Sequence, residues 1–173
     1  MRKFFASISA LFLAACNELP PSVTPVTGFD ANRYLGKWYE VARIDNSFER
    51  GLDHTTAEYS LRADGGINVV NKGYKLATLE WKSVEGRAYF VQDSSVAHLR
   101  VSFFRPFYGA YAVFTLDSDY QYAFVSGGNL KYLWLLSRSP VIDDSLRARF
   151  MQEASARGFA TDKVLWVNQK PLP

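Results

Sequence analysis

Between residues 36 and 137 the chain alternates apolar and polar residues in short runs, a pattern typical of β-strands with one buried face. In the run 55–61, for example, Ala57 and Tyr59 lie on the same face. Turn sequences rich in Gly and Asp, such as 62–66, separate the runs. The predicted strands cover residues 37–44, 55–61, 67–74, 80–92, 98–104, 110–116, 120–126 and 130–137. Eight strands joined in order by short loops predict an all-β fold, an eight-stranded up-and-down antiparallel barrel.

One helical pattern follows the strands. Asp143 is a suitable N-cap and Gly158 a suitable C-terminal stop. Between them the apolar residues share one helical face, formed by Leu146, Phe150, Met151 and Ala154. We expect this helix to pack on the outside of the barrel, although the same face could serve in a homodimer. A short final strand at 165–167 is expected beside the first strand.

The segment 32–43 links a short helical turn to the first strand. Asp30 leads the turn, and Gly36 ends it. Trp38 follows at the start of the strand, where its large indole could plug the closed end of a barrel and donate its N–H to a carbonyl. The same residue would also fit the core of an ordinary β-sandwich.

The N-terminal residues have the pattern of a lipoprotein signal. Arg2 and Lys3 precede an apolar stretch, and Leu13-Ala14-Ala15-Cys16 is a small-residue cleavage site that ends in cysteine. The pattern predicts a signal peptide at 1–15, with a diacylglycerol and an acylated amino group on Cys16. A plain secretory signal with an incidental cysteine is the alternative. Asn17, rather than Asp, favours the outer membrane, with the protein facing the periplasm.

Residues 16–27 form the predicted acylated cysteine and tether, and residues 28–173 form the barrel domain. Pro20, Pro21 and Pro25 favour an extended tether. Several acyl chains would make the membrane attachment effectively permanent. Cys16 is the only cysteine, so the chain has no internal disulfide.

Length and composition agree with one domain. The chain has 173 residues, of which 48% are hydrophobic and 16% aromatic, which suits strands. The net charge of +3 includes Arg2 and Lys3, and without them 18 basic residues balance 17 acidic ones. No cluster of Lys and Arg suggests a nucleic-acid partner. No apolar run approaches the ~20 residues of a transmembrane helix.

The sequence offers no catalytic or metal-binding motif. His54 and His98 are the only histidines, and neither has a second ligand at metal-binding spacing. A nucleophile elbow, a phosphate-binding glycine loop and a nucleotide fingerprint are all missing. We therefore expect a protein that is not an enzyme and that uses no cofactor.

Several short motifs resemble the lipocalin family. Residues 36–39 (Gly-Lys-Trp-Tyr), Asp117 with Tyr120, and Arg138 resemble its three signature regions. The further motifs that narrow the resemblance to bacterial outer-membrane lipocalins are Phe48-Glu49-Arg50-Gly51, Asn71-Lys72-Gly73-Tyr74 and residues 102–109. The structural signature residues are then Gly36, Trp38, Asp117, Tyr120 and Arg138. In such a barrel the Arg138 guanidinium would stack on the Trp38 ring, although a lone arginine is more often a surface charge.

The resemblance implies binding, storage or transport of a fatty acid or lysophospholipid for membrane maintenance. From the phase of the predicted strands, the cavity would be lined by Glu40, Ala42, Tyr59, Val69, Asn71, Ala88, Phe90, Val101, Phe103, Tyr111, Val113 and Trp134. Because some members of this set are small or polar, we expect the barrel interior to keep space that side chains do not fill. The alternative is a structural or adhesive envelope lipoprotein whose barrel is filled and has no specific ligand.

Overall fold

The computed structural model describes residues 18–172, so the predicted signal peptide and Cys16 lie outside the described residues. Antiparallel strands form one sheet in this part of the chain. The strands are β1 (Gly36–Ile44), β2 (Leu52–Leu61), β3 (Ile67–Lys75), β4 (Glu80–Phe90), β5 (His98–Phe104), β6 (Phe107–Leu116), β7 (Tyr122–Ser126), β8 (Leu133–Ser137) and β9 (Val164–Trp166). Because β1 pairs with both β2 and β8, the first eight strands close into the predicted up-and-down barrel.

The last strand and the C-terminal segment lie along the seam between β1 and β2. β9 runs antiparallel beside β1, with Trp166 opposite Ala42, which confirms the predicted position of the final strand. Further on, the Gln169 side chain donates hydrogen bonds to the carbonyls of Glu40 and Thr55, both at 2.8 Å. These bonds bridge β1 and β2 beyond the end of their shared ladder, where the two strands diverge.

The helix α2 (Asp144–Ala156) packs on the outside of the barrel, as predicted. Asp143 caps it by accepting the N–H of Leu146 at 2.7 Å. Its apolar face is buried in a group of residues, here called the outer cluster, that consists of Val23, Val41, Ala42, Ile44, Ala112, Phe114, Phe124, Leu133, Leu135, Phe150, Ala154 and Phe159. Within residues 18–172, no helix has both the length and the apolar character needed to cross a membrane.

The barrel has a closed end, where β1 begins, and an open end, where β1 finishes. The antiparallel connections place the loops 45–51, 76–79, 105–106 and 127–132 at the open end. The turn predicted at 105–109 contains only two residues, because β6 already begins at Phe107. β7 begins later than predicted because Asp117 Oδ2 accepts the N–H groups of Asp119 and Gln121, which prolongs the turn.

A short helix, α1 (Ala31–Tyr34), covers the closed end. Asp30 caps this helix by accepting the N–H of Asn32 at 2.9 Å. Gly36, with φ at +89°, then turns the chain into β1, a conformation that costs glycine little. Trp38 is fully buried beneath α1 and donates its Nε1 hydrogen to the Tyr34 carbonyl at 2.8 Å. The indole therefore plugs the closed end.

Arg138, directly after β8, connects α1 to the barrel. Its guanidinium carbon lies 3.9 Å from the Trp38 ring centroid, so the stacking expected from the sequence is present. The guanidinium also donates to four main-chain carbonyls, those of Lys37 at 2.8 Å, Arg33 and Leu35 at 2.9 Å, and Tyr120 at 3.3 Å. A planar group with five N–H donors is suited to such a set of acceptors.

We predict that Trp38 and Arg138 are energetically coupled. Trp38→Ala removes a buried ring and should lower the free energy of unfolding by about 3–5 kcal/mol. Arg138→Ala should cost less, about 1–3 kcal/mol, because the carbonyls it leaves are partly open to water. Because the Arg138 guanidinium stacks on the Trp38 ring, the double variant should lose less stability than the sum of the two single losses, by about 0.5 kcal/mol or more. Urea unfolding of the four proteins measures this.

The control is Arg157→Ala, because Arg157 stacks on Phe114 in the outer cluster, away from Trp38. Its effect should add to that of Trp38→Ala. If the effects of Trp38→Ala and Arg138→Ala also add, the stacking contributes nothing to stability.

Candidate functional site

The barrel interior forms the candidate ligand site. Its buried members include four residues predicted to face the cavity, namely Tyr59, Val69, Ala88 and Val113. Five more predicted residues pack against them and keep some accessible surface, namely Phe90, Val101, Phe103, Tyr111 and Trp134. Asn71 lies opposite Ala57 on the same inward phase of β3, and Glu40 lies opposite the inward Leu136. The structure therefore brings these eleven predicted residues to one side of the barrel wall.

Ala42 does not face the interior, and its predicted place in the cavity lining is wrong. It is fully buried in the outer cluster, under α2. A register shift between Glu40 and Ala42 in the pairing of β1 with β8 marks a β-bulge. The extra residue reverses the alternation, so Glu40 and Arg43 face inward and Ala42 faces outward. Arg43, which the sequence analysis missed, takes the inward position.

Arg43 is a fully buried cation with several partners. Its guanidinium donates to Glu40 Oε1 at 2.8 Å and to the carbonyls of Leu52 at 2.9 Å and Glu49 at 3.0 Å. The Glu49 carboxylate in turn accepts the indole N–H of Trp134 at 2.9 Å. A buried charge is tolerated only when it is paired and hydrogen-bonded in this way. The interior therefore carries a polar cluster toward its open end.

Glu40 holds its proton more tightly than an ordinary carboxyl. Burial raises its pKa well above the usual value, and the nearby charge and hydrogen bond of Glu49 raise it further. The cation of Arg43 opposes this shift but does not overcome it. In its protonated form Glu40 can donate to Glu49 while still accepting from Arg43.

Three tyrosines form a hydrogen-bonded floor near the closed end. The Tyr111 hydroxyl lies 2.7 Å from that of Tyr34 and 3.0 Å from that of Tyr59. Burial raises the pKa of all three, so they remain neutral hydroxyls at physiological pH. The Tyr34 ring also packs on Trp38, with centroids 4.8 Å apart. The floor of the site thus rests on the plug at the closed end.

The interior retains polar atoms without partners in the described structure. Thr55 Oγ1 and Asn71 Oδ1 are buried and lack a hydrogen bond among residues 18–172, whereas Arg43 Nε makes no hydrogen bond but lies 3.8 Å from Asp45 Oδ1. Thr55 shares the inward face of β2 with Ala57, and Asn71 shares the inward face of β3 with Ile67. Buried polar atoms normally find a partner, so Thr55 Oγ1 and Asn71 Oδ1 mark positions where a water molecule or a ligand group would be stabilised.

The two histidines lie on separate strands, His54 on β2 and His98 on β5. His54 Nε2 is 2.6 Å from the Lys170 carbonyl, which holds the C-terminal segment against β2. His98 is buried at the start of β5. Among residues 18–172, no group of three or more His, Cys, Asp or Glu side chains is placed to hold a metal ion.

Comparison with known proteins identifies the family. Residues 29–169 match the model of the lipocalin-like domain. The chain belongs to the lipocalin family. It is 52% identical to the outer membrane lipoprotein Blc of Vibrio cholerae, over 98% of this chain and 100% of the relative. It is 49% identical to Blc of Escherichia coli K12, over 95% of this chain and 94% of the relative.

The fold comparison agrees with this assignment. Insecticyanin of the tobacco hornworm Manduca sexta has a TM-score of 0.68 and 18% identity, covering 87% of this chain and 86% of that chain. At this identity the likeness concerns the fold alone. The family match and the two relatives confirm a lipocalin of the bacterial outer-membrane lipoprotein type, the group that the sequence motifs resembled.

The remaining signature residues organise the closed end of the lipocalin barrel. Asp117 stabilises the turn between β6 and β7, as described above. The Tyr120 hydroxyl accepts the N–H of Asp30 at 2.9 Å and so supports the N-terminus of α1. Arg33 stacks on the Tyr120 ring, 4.2 Å from its centroid. These residues position the floor of the site.

We predict that Glu40 makes this lipocalin less stable as the pH rises. The folded state keeps the Glu40 proton above the ordinary glutamate pKa, whereas the unfolded chain releases it. The free energy of unfolding should therefore fall as pH rises from that ordinary value toward the raised pKa. Glu40→Gln, which keeps both hydrogen-bonding functions, should remove this fall. Urea unfolding at a series of pH values provides the measurement.

Glu58→Gln is the matched control, since Glu58 is exposed on the outer face of β2. It should leave the pH dependence unchanged. If Glu40→Gln and Glu58→Gln give the same profile as the unaltered protein, Glu40 is ionised in the folded state.

Proposed function

We propose that the mature protein is an outer-membrane-anchored lipocalin that binds a single-chain lipid, a fatty acid or a lysophospholipid, inside its barrel. It would store or transport this lipid in membrane maintenance, held by acylated Cys16 and facing the periplasm. The mechanism is passive binding with no catalytic step. The acyl chain leaves water on entering the barrel, which is favourable by about 0.8 kcal/mol for each buried methylene.

The observation that carries this proposal is that four inward-facing side chains of the barrel keep accessible surface. Val101, Phe103, Tyr111 and Trp134 point toward the barrel axis, yet each keeps accessible surface. In a fully packed core such side chains would be buried by their neighbours. This supports a ligand-binding barrel over a filled structural one. Their surfaces are mainly apolar and aromatic, as is usual for pockets that take hydrophobic ligands.

The polar cluster gives the ligand an orientation. Arg43 is already paired with Glu40 and two carbonyls, so it offers little to a free carboxylate deep in the barrel. The acyl chain would therefore enter first, past Trp134 toward the tyrosine floor. The headgroup would remain near the open end, within reach of polar side chains there. This arrangement favours a lysophospholipid, whose large headgroup stays outside the apolar interior.

Anchoring is proposed from the N-terminal sequence and the relatives. The segment 13–16 has the lipoprotein cleavage pattern, and the two Blc relatives are named outer membrane lipoproteins. The tether between Cys16 and the domain is shorter than the predicted 16–27. Val23 is buried in the outer cluster, and Val26 donates its N–H to the Val113 carbonyl at 2.9 Å. Much of the segment predicted as tether thus belongs to the domain.

Lysophospholipid binding should depend on free space beside Val101. Val101→Trp fills that space, and excluding two methylenes at about 0.8 kcal/mol each should lower the affinity by about tenfold. Val70→Trp makes a comparable change on the outward phase of β3 and should alter affinity little. Native mass spectrometry of delipidated protein titrated with lysophospholipid gives both affinities. No binding at micromolar ligand, or equal losses in the two variants, would contradict the proposal.

Acylation should depend on Cys16 alone. Cys16→Ser should fold normally but incorporate no labelled palmitate, and after washing it should leave the outer-membrane fraction. Urea unfolding checks the fold, and labelling with fractionation checks the anchor. Palmitate incorporation by the variant would show that the acylated residue lies elsewhere.

A further inference from the structure

The open end of the barrel carries an exposed apolar surface. Six of the eleven exposed large apolar side chains in residues 18–172 lie there, three at the ends of β4, β5 and β6 and three in the loops 45–51 and 76–79. We call this surface the apolar rim, and it consists of Phe48, Leu76, Leu79, Trp81, Phe104 and Phe107. Phe48, Leu79, Phe104 and Phe107 are 74%, 72%, 70% and 76% exposed, respectively. Such clustering of exposed apolar residues marks a contact surface.

The N-terminal segment reaches the same end of the barrel. The Glu18 carbonyl oxygen lies 3.3 Å from the position that a Cβ would take on Gly128, in the loop between β7 and β8. Cys16 precedes Glu18 by two residues, which span at most about 7 Å when extended. The first described residue therefore lies at the open end of the barrel, and in the sequence it follows the predicted acylation site by two residues.

Basic side chains surround the apolar rim. Lys75, Arg105 and Lys131 stand at the open end, and none of them has a carboxylate partner within residues 18–172. On the adjoining outer wall, Trp81 borders a groove of about 400 Å³ together with Lys37, Lys72 and Lys82, of which Lys82 pairs with Glu80 at 2.7 Å. Apolar side chains next to cations match the interface of a bilayer, with acyl chains below and phosphate groups above.

We propose that the open end of the barrel docks on a phospholipid bilayer, with the apolar rim inserted among the lipids and the basic residues at the headgroup phosphates. Which membrane the protein docks on rests on the acylation of Cys16 in the proposed function. The docking itself does not depend on that acylation. The barrel mouth then opens into the bilayer interface. A single-chain lipid can pass between the membrane and the barrel without exposing its acyl chain to bulk water.

The position of the chain terminus favours a membrane over a second copy of the protein. A dimer through the apolar rim would bring two N-terminal segments, and two proposed acyl anchors, to one buried interface. The unpaired cations would also face each other across it. A bilayer accepts the anchor, the apolar side chains and the cations on one surface.

Vesicle flotation of the full chain carrying Cys16→Ser tests this docking, because that change removes any acyl anchor. The vesicles contain phosphatidylethanolamine with a minor fraction of phosphatidylglycerol. The protein should float reversibly at high lipid and wash off on dilution. Adding Phe104→Ser and Phe107→Ser should lower the partition coefficient at least tenfold. A second pair in other loops, Phe48→Ser with Leu79→Ser, should have the same effect.

The matched control is Leu61→Ser with Val141→Ser, which removes two exposed apolar residues away from the open end. Its partition coefficient should equal that of the parent chain. Failure of the parent chain to float, or equal losses in the rim and control pairs, would overturn the proposal. So would a parent chain that does not float and forms dimers that the rim substitutions dissociate, as measured by analytical ultracentrifugation.

Lysophospholipid binding in the same variants separates the docking from the proposed function. Rim variants that float less but still bind the ligand support both. Rim-dependent flotation by a chain that binds no lysophospholipid would refute the proposed ligand and leave the docking intact.

Discussion

Closure of the barrel through β1 is the constraint on which the rest of this structure depends. β1 pairs with β2 near the closed end and with β8 farther along, so the buried side chains of this strand face either the interior or the outer cluster. The bulge after Glu40 lets one strand serve both needs. Before it, Trp38 plugs the interior; after it, Ala42 is small enough to lie under α2, while Arg43 turns inward. A regular strand could not place these three side chains in this way.

The inward turn of Arg43 determines the character of the binding site. A buried cation needs partners, and the loop between β1 and β2 supplies two of them, the Glu49 carbonyl and the Asp45 carboxylate. Glu40 then stands between a cation and a second carboxylate, and burial favours its protonated form. The interior is consequently divided, with neutral tyrosine hydroxyls at the floor, apolar walls between, and a compensated polar cluster toward the mouth. Such a division suits a ligand with one apolar end and one polar end.

The two ends of the barrel have opposite roles for a physical reason. At the closed end, Arg138 satisfies carbonyls of α1 and β1 and stacks on Trp38, so that end needs no further partner. At the open end, the loops leave large apolar side chains in water, and the N-terminal segment arrives beside them. A base whose polar groups are paired and an apolar mouth near the proposed anchor suit the proposed exchange of lipid with a membrane.

The sequence by itself determined the strand order, the outer helix and the family, because these depend on local alternation, turn residues and short motifs, whereas it left Trp38 between a barrel plug and a sandwich core. It also placed most inward residues correctly, since the phase of a regular strand follows from one buried residue. Only the tertiary structure decided the phase after Glu40, because a bulge depends on pairing with β8 and leaves no mark in the local pattern. The same holds for the Arg43 cluster and for the closeness of Glu18 to the mouth. These contacts join residues far apart in the chain, and only the closed barrel brings them together.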